Sequence, residues 1–196
     1  KFRKVLPSMS DTERDAIEAG TVWWDAELFS GKPDWAMWQQ FPKPTLTAAE
    51  QSFMDNEVVH ACSLVDDWKV TTEDFDLSAE AWEYIKSNRF LGMIIPEQYG
   101  GLGFSAFAHS EIMTRLSTRN SALAVSVMVP NSLGPGELLV HYGTEEQKRK
   151  YLPDLLSEKK LGAFGLTEPN AGTDAAMQQT KAEDKGDHWL LNGSKV

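Results

Sequence analysis

The sequence has few of the residues that stabilise small secreted proteins or hold metal ions. It contains one cysteine, Cys62, so no disulfide can form within the chain. Its four histidines lie on unrelated segments without ligand spacing, and no serine stands in a nucleophile-elbow motif. These absences argue against a metal site and against a serine hydrolase, and the cysteine content favours a reducing, cytoplasmic setting.

Positive charge and long apolar runs are also scarce. The 196 residues carry 19 Lys and Arg against 29 Asp and Glu, a formal net charge of -10, which argues against a nucleic-acid partner. No uninterrupted apolar run approaches the roughly 20 residues that cross a bilayer, and no signal-peptide pattern is visible. With 41% hydrophobic residues, the chain can bury one sizeable core. We therefore expect a soluble, globular protein.

Both ends of the sequence favour a piece of a longer protein. The chain begins at Lys1 rather than at Met, and Lys1, Arg3 and Lys4 form a basic cluster. At the other end, the turn signal Asn192-Gly193 precedes only three residues, too few for a returning strand. We expect the sequence to be a fragment.

The first 46 residues predict an arm of short helices and coil. Ser10 and Glu13 form a capping box ahead of a helix that Gly20 would end. This arm is rich in tryptophan, at positions Trp23, Trp24, Trp35 and Trp38. The rings have two interpretations, packing of the arm onto a larger body or contact with a membrane surface or partner.

Residues 47–162 predict an all-helical domain. Thr47 and Glu50 form a capping box, and apolar residues follow at near-helical spacing: Phe53, Val58, Ala61, Leu64, Val65 and Trp68. Further helix starts are predicted at Ser78, Ser105 and Thr144, the last with Gln147 as a capping box. The small apolar residues from Ser121 to Val129 predict a helix buried on nearly all sides.

Residues 163–196 predict the start of a β domain, with a boundary near residue 162. A short strand is expected over 163–166, and a hairpin over 180–192. The fold class is therefore mainly α, a helical domain followed by the first strands of a truncated β domain.

The loop from Leu166 to Asp174 joins these two parts. Its Gly172-Thr173 pair allows a tight turn that brings N–H groups and a hydroxyl close to an anion such as a pyrophosphate. Taken alone, this pair is more often an ordinary turn than a nucleotide site.

Several motifs stand in a fixed order around this loop. They are Gly100-Gly101-Leu102-Gly103, Asn131-Ser132-Leu133-Gly134, Gln147-Lys148-x-x-Tyr151-Leu152-Pro153, Leu166-Thr167-Glu168-Pro169-x-Ala171-Gly172-Thr173-Asp174 and Asn192-Gly193-Ser194-Lys195. The ordered set closely resembles the acyl-CoA dehydrogenase family over residues 47–196. The Trp-rich opening resembles the long bacterial form that acts on fatty acyl-CoA in β-oxidation.

The resemblance implies a helical domain, a β-barrel-like middle domain and a C-terminal helical bundle, with flavin adenine dinucleotide (FAD) between them. The implied cofactor contacts are Phe164, Leu166, Thr167, Gly172 and Thr173. The implied substrate contacts are Thr173, Val129 and Asn131, the last two in an apolar acyl cavity that favours medium to long chains.

The resemblance also implies the reaction, α,β-dehydrogenation of an acyl-CoA thioester. The catalytic base of the family is a glutamate in the C-terminal bundle, so no catalytic residue is expected before Val196, and the fragment alone should be inactive. Glu168 is expected to stabilise its loop rather than act as the base.

The implied partners are acyl-CoA, an electron-transferring flavoprotein and further copies of the parent protein. A hydrophobic segment upstream of Lys1 would associate the parent with the inner membrane of a bacterium. The alternatives are a non-catalytic acyl-CoA or partner-binding module on this fold, or a related flavin oxidase or nitroalkane oxidase.

Overall fold

The computed structural model describes residues 11–20, 23–132, 134–157, 159–160, 162 and 165–196. The chain divides into two compact units. A helical unit spans Pro44–Phe164, and the other unit combines Lys1–Lys43 with Gly165–Val196. The domain bounds that we derived from the sequence stay predictions.

The helical unit begins with a long, almost continuous helix. Helix α3 (Ala48–Phe53) passes through a π-helical stretch (Met54–Val58) into α4 (Val59–Ser63). The predicted capping box is confirmed, because Thr47 and Glu50 each accept the other's backbone N–H. Next come α5 (Asp67–Lys69), a second π-helical stretch (Val70–Asp74) and α6 (Ala79–Ser87), which Ser78 caps as predicted.

Two 3-10 helices (Phe90–Gly92 and Glu97–Tyr99) and then four α-helices complete the described part of this unit. The four α-helices are α7 (Ala106–Ser117), α8 (Ser121–Ser132), α9 (Pro135–Tyr142) and α10 (Glu145–Leu156). Ser105 caps α7, and Thr144 with Gln147 forms the predicted capping box of α10. Helix α8 ends at Ser132 and α9 begins at Pro135.

The main core of the unit is formed by residues of α3, α4, α6, α7 and α8, together with the π-helical stretches and the segment that follows α6. Its fully buried members include Val58, Ile85, Phe90, Ile112, Leu116, Leu123 and Val127. A smaller cluster lies beside α10 and contains Ile95, Tyr99, Leu152 and Leu156. Cys62 is half-buried at the edge of the main core, where burial raises the pKa of its thiol.

Two expectations about this core are wrong. Trp68 was placed on the buried face, yet its side chain is 70% exposed because α4 ends at Ser63 and α5 starts a new helical register. Helix α8 was expected to be buried on nearly all sides, but it buries one face and leaves Val125 and Val129 50% and 39% exposed.

One helical stretch in the described residues is long and apolar enough to cross a membrane. It runs over Ser121–Tyr142 with a mean hydropathy of 1.3. The expectation that no uninterrupted apolar run approaches this length is a different statement, and Asn131, Ser132 and Glu137 interrupt this stretch. The core helix of a soluble protein passes the same test, and Leu123 and Val127 of this stretch are completely buried in the helical core.

In the other unit, the described part of the arm contains α1 (Asp11–Ala19), a 3-10 helix (Trp24–Phe29) and α2 (Trp35–Trp38). Trp24 is the buried centre of an aromatic cluster, with its ring centroid 5.4 Å from that of Trp35 and 4.6 Å from that of Trp38. Its indole N–H donates to the Asp34 carbonyl at 3.1 Å. Trp24, Trp35 and Trp38 thus pack against one another within the arm itself.

The same unit contains the predicted hairpin. Strands β1 (Lys181–Asp184) and β2 (Trp189–Asn192) pair antiparallel, with Lys181 opposite Asn192 and Asp184 opposite Trp189. The strand predicted over 163–166 is not confirmed, since Gly165 and Leu166 lie in irregular backbone and 163–164 fall outside the described residues. The mainly α fold class is confirmed.

Candidate functional site

The loop from Leu166 to Asp174 is closed by a tight backbone turn. The N–H of Glu168 donates to the Ala171 carbonyl at 2.7 Å, and the N–H of Ala171 donates back at 3.2 Å. Ala171 and Glu168 are buried, whereas Gly172 and Thr173 just after them are exposed. The turn therefore presents the Gly172-Thr173 pair outward.

The Glu168 carboxylate anchors this turn. It accepts the N–H of Gln179 at 2.7 Å and the N–H of Thr180 at 3.0 Å, and the Lys195 ammonium lies 3.0 Å away. The Thr180 hydroxyl, the Gln179 N–H and the Lys195 ammonium lower the pKa of Glu168 from 4.5 to about 2, against the opposing effect of burial. The carboxylate is therefore ionised at neutral pH.

Of the groups around the Glu168 carboxylate, the Thr180 hydroxyl has the poorest hydrogen-bond geometry. It has no partner with hydrogen-bond geometry among the described residues, although it is close enough to the carboxylate to affect its pKa. The two backbone N–H groups and Lys195 have good geometry, and we take these as the bonds that hold the loop.

The carbonyl groups before the turn are also used within the unit. The Leu166 carbonyl accepts from the Gln178 side-chain amide at 2.6 Å and from the Lys195 ammonium at 3.0 Å. The Thr167 carbonyl accepts the N–H of Val196 at 2.9 Å. Any backbone contact of Leu166 with a cofactor would consequently use its N–H.

Two of the predicted cofactor residues lie side by side. A Cβ atom added to Gly172 would stand 3.8 Å from Cγ2 of Thr167, so the two ends of the loop approach each other. Thr167 and Thr173 are both exposed, and Leu166 is half-buried. Phe164, the remaining predicted contact, lies outside the described residues.

These residues fit a flavin nucleotide. Exposed hydroxyl and N–H groups beside a glycine are the donors that phosphate oxygens require. The fit is supported by Asp174, whose Oδ1 atom is buried without a partner in the described chain. A buried acceptor of this kind is satisfied by a donor from elsewhere, such as a cofactor hydroxyl.

Asn131, a predicted substrate contact, is placed in the interior of the helical unit and is 2% exposed. Its side-chain amide donates to the carbonyls of Phe90 at 2.7 Å and Val127 at 2.8 Å, and accepts the N–H of Ile94 at 3.3 Å. Three of its hydrogen-bonding positions are thus used inside the protein. The amide holds α8 against the Phe90–Ile94 segment.

Val129, the other predicted substrate contact in this unit, lines a cavity of about 90 Å³. The walls are mostly apolar and include Leu91, Ile95, Pro130, Leu152 and Leu156. Lys160 supplies the charged group of the lining, and its ammonium is paired with Asp154 at 2.6 Å. This cavity can accommodate part of an apolar chain.

The Gly100-Gly101-Leu102-Gly103 motif has a structural role in the same unit. Backbone N–H groups of Leu102 and Gly103 donate to the carbonyls of Gly92 and Ile95 at 3.1 and 2.8 Å. A Cβ atom on Gly101 would stand 2.0 Å from the Ile95 carbonyl oxygen, so only glycine fits. Over the ranges that the structure describes, no group of three or more His, Cys, Asp or Glu residues could hold a metal ion.

Lys195, Gln178 and Gln179 are residues of the site that the sequence did not identify. The distance in sequence explains this, because Lys195 reaches Glu168 across 27 residues and no periodic pattern links them. Lys195 stood in the Asn192-Gly193-Ser194-Lys195 motif, but the motif gave it no role in the site. The loop-stabilising role expected for Glu168 agrees with its contacts.

Comparison with known proteins identifies the helical unit. Residues 44–159 match the family described as acyl-CoA dehydrogenase, N-terminal domain. The chain is 45% identical over 109 residues to glutaryl-CoA dehydrogenase of Desulfococcus multivorans, covering 55% of this chain and 28% of that protein.

Solved structures agree with this match. Butyryl-CoA dehydrogenase from Megasphaera elsdenii has a TM-score of 0.65 at 30% identity, over 79% of this chain and 42% of that one. A structure solved in a study of the electron transferring flavoprotein of Acidaminococcus fermentans has a TM-score of 0.68 at 33% identity, over 79% and 41%. The chain therefore spans less than half the length of these relatives, and it belongs to the acyl-CoA dehydrogenase family.

Proposed function

We propose that this chain is the N-terminal part of an FAD-dependent enzyme that oxidises acyl-CoA to trans-2-enoyl-CoA. The observation that carries the proposal is the anchored loop, in which Thr167, Gly172 and Thr173 are brought together and left exposed while their neighbours are fixed. Membership of the family supports it. The flavin, when bound, supplies the acceptor for the hydride that leaves the β carbon of the thioester.

The part of these residues in the reaction is binding and orientation. The N–H groups and hydroxyls of Thr167, Gly172 and Thr173 would hold the cofactor, and Thr173 would also contact the acyl-CoA. Fixing both ligands before reaction lowers the entropic part of the barrier. The rigid turn at Glu168 serves this purpose, because a mobile loop would lose that advantage.

The proton-abstracting carboxylate is proposed to lie outside these residues. Glu168 is an acidic residue within the loop, but three donors occupy its oxygens and its pKa is lowered to about 2. A carboxylate of that pKa is a weak base, and it has little capacity left to accept a further proton.

The acyl chain is proposed to be of medium to long length, as in fatty-acid β-oxidation. The relatives are named for glutaryl and butyryl substrates, so this part rests on the apolar cavity at Val129. Each methylene that enters such a cavity contributes about 0.8 kcal/mol. A higher specificity constant for butyryl-CoA than for palmitoyl-CoA in the full-length protein would contradict it.

The remaining assignments of the parent protein are proposed on the same basis. Its electron acceptor is proposed to be an electron-transferring flavoprotein, in keeping with the relative from that system. It is proposed to act as a homo-oligomer in the bacterial cytoplasm, in association with the inner membrane. Sedimentation of the full-length protein tests the oligomeric state in the absence of membranes and the membrane association in their presence.

The experiment that tests the cofactor assignment is direct. Full-length protein is purified, its visible spectrum is recorded, and any released cofactor is identified after denaturation. We expect about one FAD per chain. A protein that contains no flavin and cannot be reconstituted with FAD would refute the proposed function.

A further inference from the structure

The ion pair between Glu168 and Lys195 connects the two ends of the described β segment. The Lys195 ammonium contacts the Glu168 carboxylate and the Leu166 carbonyl, both at 3.0 Å. It therefore joins the beginning of the loop, at Leu166, to its turn. The Glu168 side chain is 5% exposed and that of Lys195 is 33% exposed, so the pair is partly shielded from water.

The hairpin places Lys195 at this point. Gly193 follows β2, and a Cβ atom there would stand 2.1 Å from Oγ1 of Thr180, so the chain passes Thr180 in close contact. The N–H of Val196 then donates to the Thr167 carbonyl at 2.9 Å. The backbone on either side of Lys195 is thus fixed against the loop.

These contacts bond the acceptor groups of the loop and leave its hydroxyl donors exposed. The carbonyls of Leu166 and Thr167 and the carboxylate of Glu168 all accept hydrogen bonds from residues 178–196. The hydroxyls of Thr167 and Thr173 donate to no other described residue and are exposed. The hydroxyl donors of the loop therefore lie on its exposed side, where no described residue of the same unit accepts a hydrogen bond from them.

We propose that Glu168 and Lys195 are positioning residues for the flavin, which hold Thr167 beside Gly172 and Thr173 so that all three reach the cofactor together. This inference rests on the proposed function of the loop. The pair touches no reacting atom, and it acts through the loop geometry. Charge is part of the arrangement, because charge-assisted hydrogen bonds are stronger and shorter than neutral ones.

Replacing Glu168 or Lys195 with a neutral side chain of similar size would weaken the ion pair without leaving a cavity. In Glu168→Gln, the side-chain NH₂ faces donors that need an acceptor, while Lys195→Met removes the ammonium and keeps most of the stem. The low pKa of Glu168 agrees with this view, since the folded loop favours the ionised carboxylate. Lys195→Arg keeps a cationic donor and should keep the function.

The test uses the full-length protein, with FAD removed and added back. The dissociation constant of FAD is measured by quenching of flavin fluorescence, and the melting temperature of the apoprotein is measured in parallel. We expect Glu168→Gln and Lys195→Met each to raise the dissociation constant about tenfold or more, equivalent to the loss of one good hydrogen bond. Lys195→Arg is expected to stay within about threefold of the parent.

The matched control is a second Lys–Glu pair in the same unit. Glu183 and Lys185 lie 2.9 Å apart on the hairpin with both side chains about half exposed. Glu183→Gln should leave the dissociation constant of FAD unchanged. If it weakens FAD as strongly as Glu168→Gln does, the positioning role is wrong.

The remaining outcomes are also decisive. Equal FAD affinity in the parent, Glu168→Gln and Lys195→Met would overturn the inference while leaving the proposed function intact. Failure of the parent itself to bind FAD would overturn the proposed function instead. If Glu168→Gln does not fold, the contrast between Lys195→Met and Lys195→Arg decides, since a lost charge and a kept charge must then differ.

Discussion

Replacing Glu50 with Gln is expected to destabilise the helical unit strongly, although Glu50 is far from the candidate cofactor loop in sequence. One carboxylate oxygen accepts the Thr47 N–H at 2.8 Å, and the other accepts the Ser105 N–H at 2.7 Å. The side chain is buried, with 4% exposure. It therefore caps α3 and also fixes the start of α7, 55 residues later.

The size of the effect follows from these bonds. A hydrogen bond to a charged group contributes about 1.5–3 kcal/mol. Glutamine keeps one acceptor oxygen but turns an NH₂ group toward the second N–H, so Glu50→Gln should lower the free energy of unfolding by about 2–3 kcal/mol. Gln147→Ala, at the same position of the exposed capping box of α10, should cost only about 0.5–1 kcal/mol.

The pH dependence of this loss is a sharper test. Burial raises the pKa of Glu50, but the N–H groups of Ser105 and Thr47 outweigh it and lower the pKa from 4.5 to about 2. A carboxylate with a lowered folded pKa stabilises the protein above its unfolded pKa. That contribution disappears as the pH falls from 4.5 toward 2.

The assay is urea unfolding of the parent chain and of Glu50→Gln, followed by circular dichroism at pH 7 and at pH 3. The difference in unfolding free energy should shrink by about 2 kcal/mol between these pH values, because at pH 3 Glu50 is protonated in the unfolded parent and still largely ionised in the folded parent, while the variant has no such group. A difference that stays constant with pH, or a loss no larger than that of Gln147→Ala, would refute the reasoning.

Three further substitutions test other parts of the account. Asn131→Leu should lower the free energy of unfolding by about 2–4 kcal/mol, because buried backbone groups lose their partners; a loss below about 0.5 kcal/mol in urea unfolding would contradict this. Gly101→Ala should cost about 1–3 kcal/mol through its clash with a carbonyl, whereas Gly165→Ala, with open space around it, should be nearly neutral. Val129→Phe should lower the specificity constant for palmitoyl-CoA about tenfold relative to that for butyryl-CoA, by filling the cavity. Val59→Phe, at a similarly exposed valine away from the cavity, should leave that ratio unchanged.

Local sequence signals predicted the helical elements well. The capping boxes at Thr47 and Thr144 and the caps at Ser78 and Ser105 are all present, because each depends on residues within three positions. The hairpin was predicted for the same reason, since alternation and a turn are short-range features. Family resemblance added the assignment of the loop, which no local signal could make specific.

Long-range packing accounts for the errors. The exposure of Trp68 and Val125 depends on where helices break and which face meets the core, and neither is encoded in a spacing rule. The second contact of Glu50, to Ser105, and the pairing of Glu168 with Lys195 likewise join distant segments. In the candidate site, residue types were predictable, but the contacts that fix them required the fold.

The central claim is that these residues form part of a flavin site that serves acyl-CoA oxidation. Its most direct test is the anaerobic addition of palmitoyl-CoA to the full-length, FAD-containing protein while the visible absorbance of the flavin is recorded. We predict bleaching of the flavin band near one equivalent of thioester, with formation of the trans-2-enoyl product. A flavin band that stays unchanged with excess acyl-CoA of every chain length would contradict it.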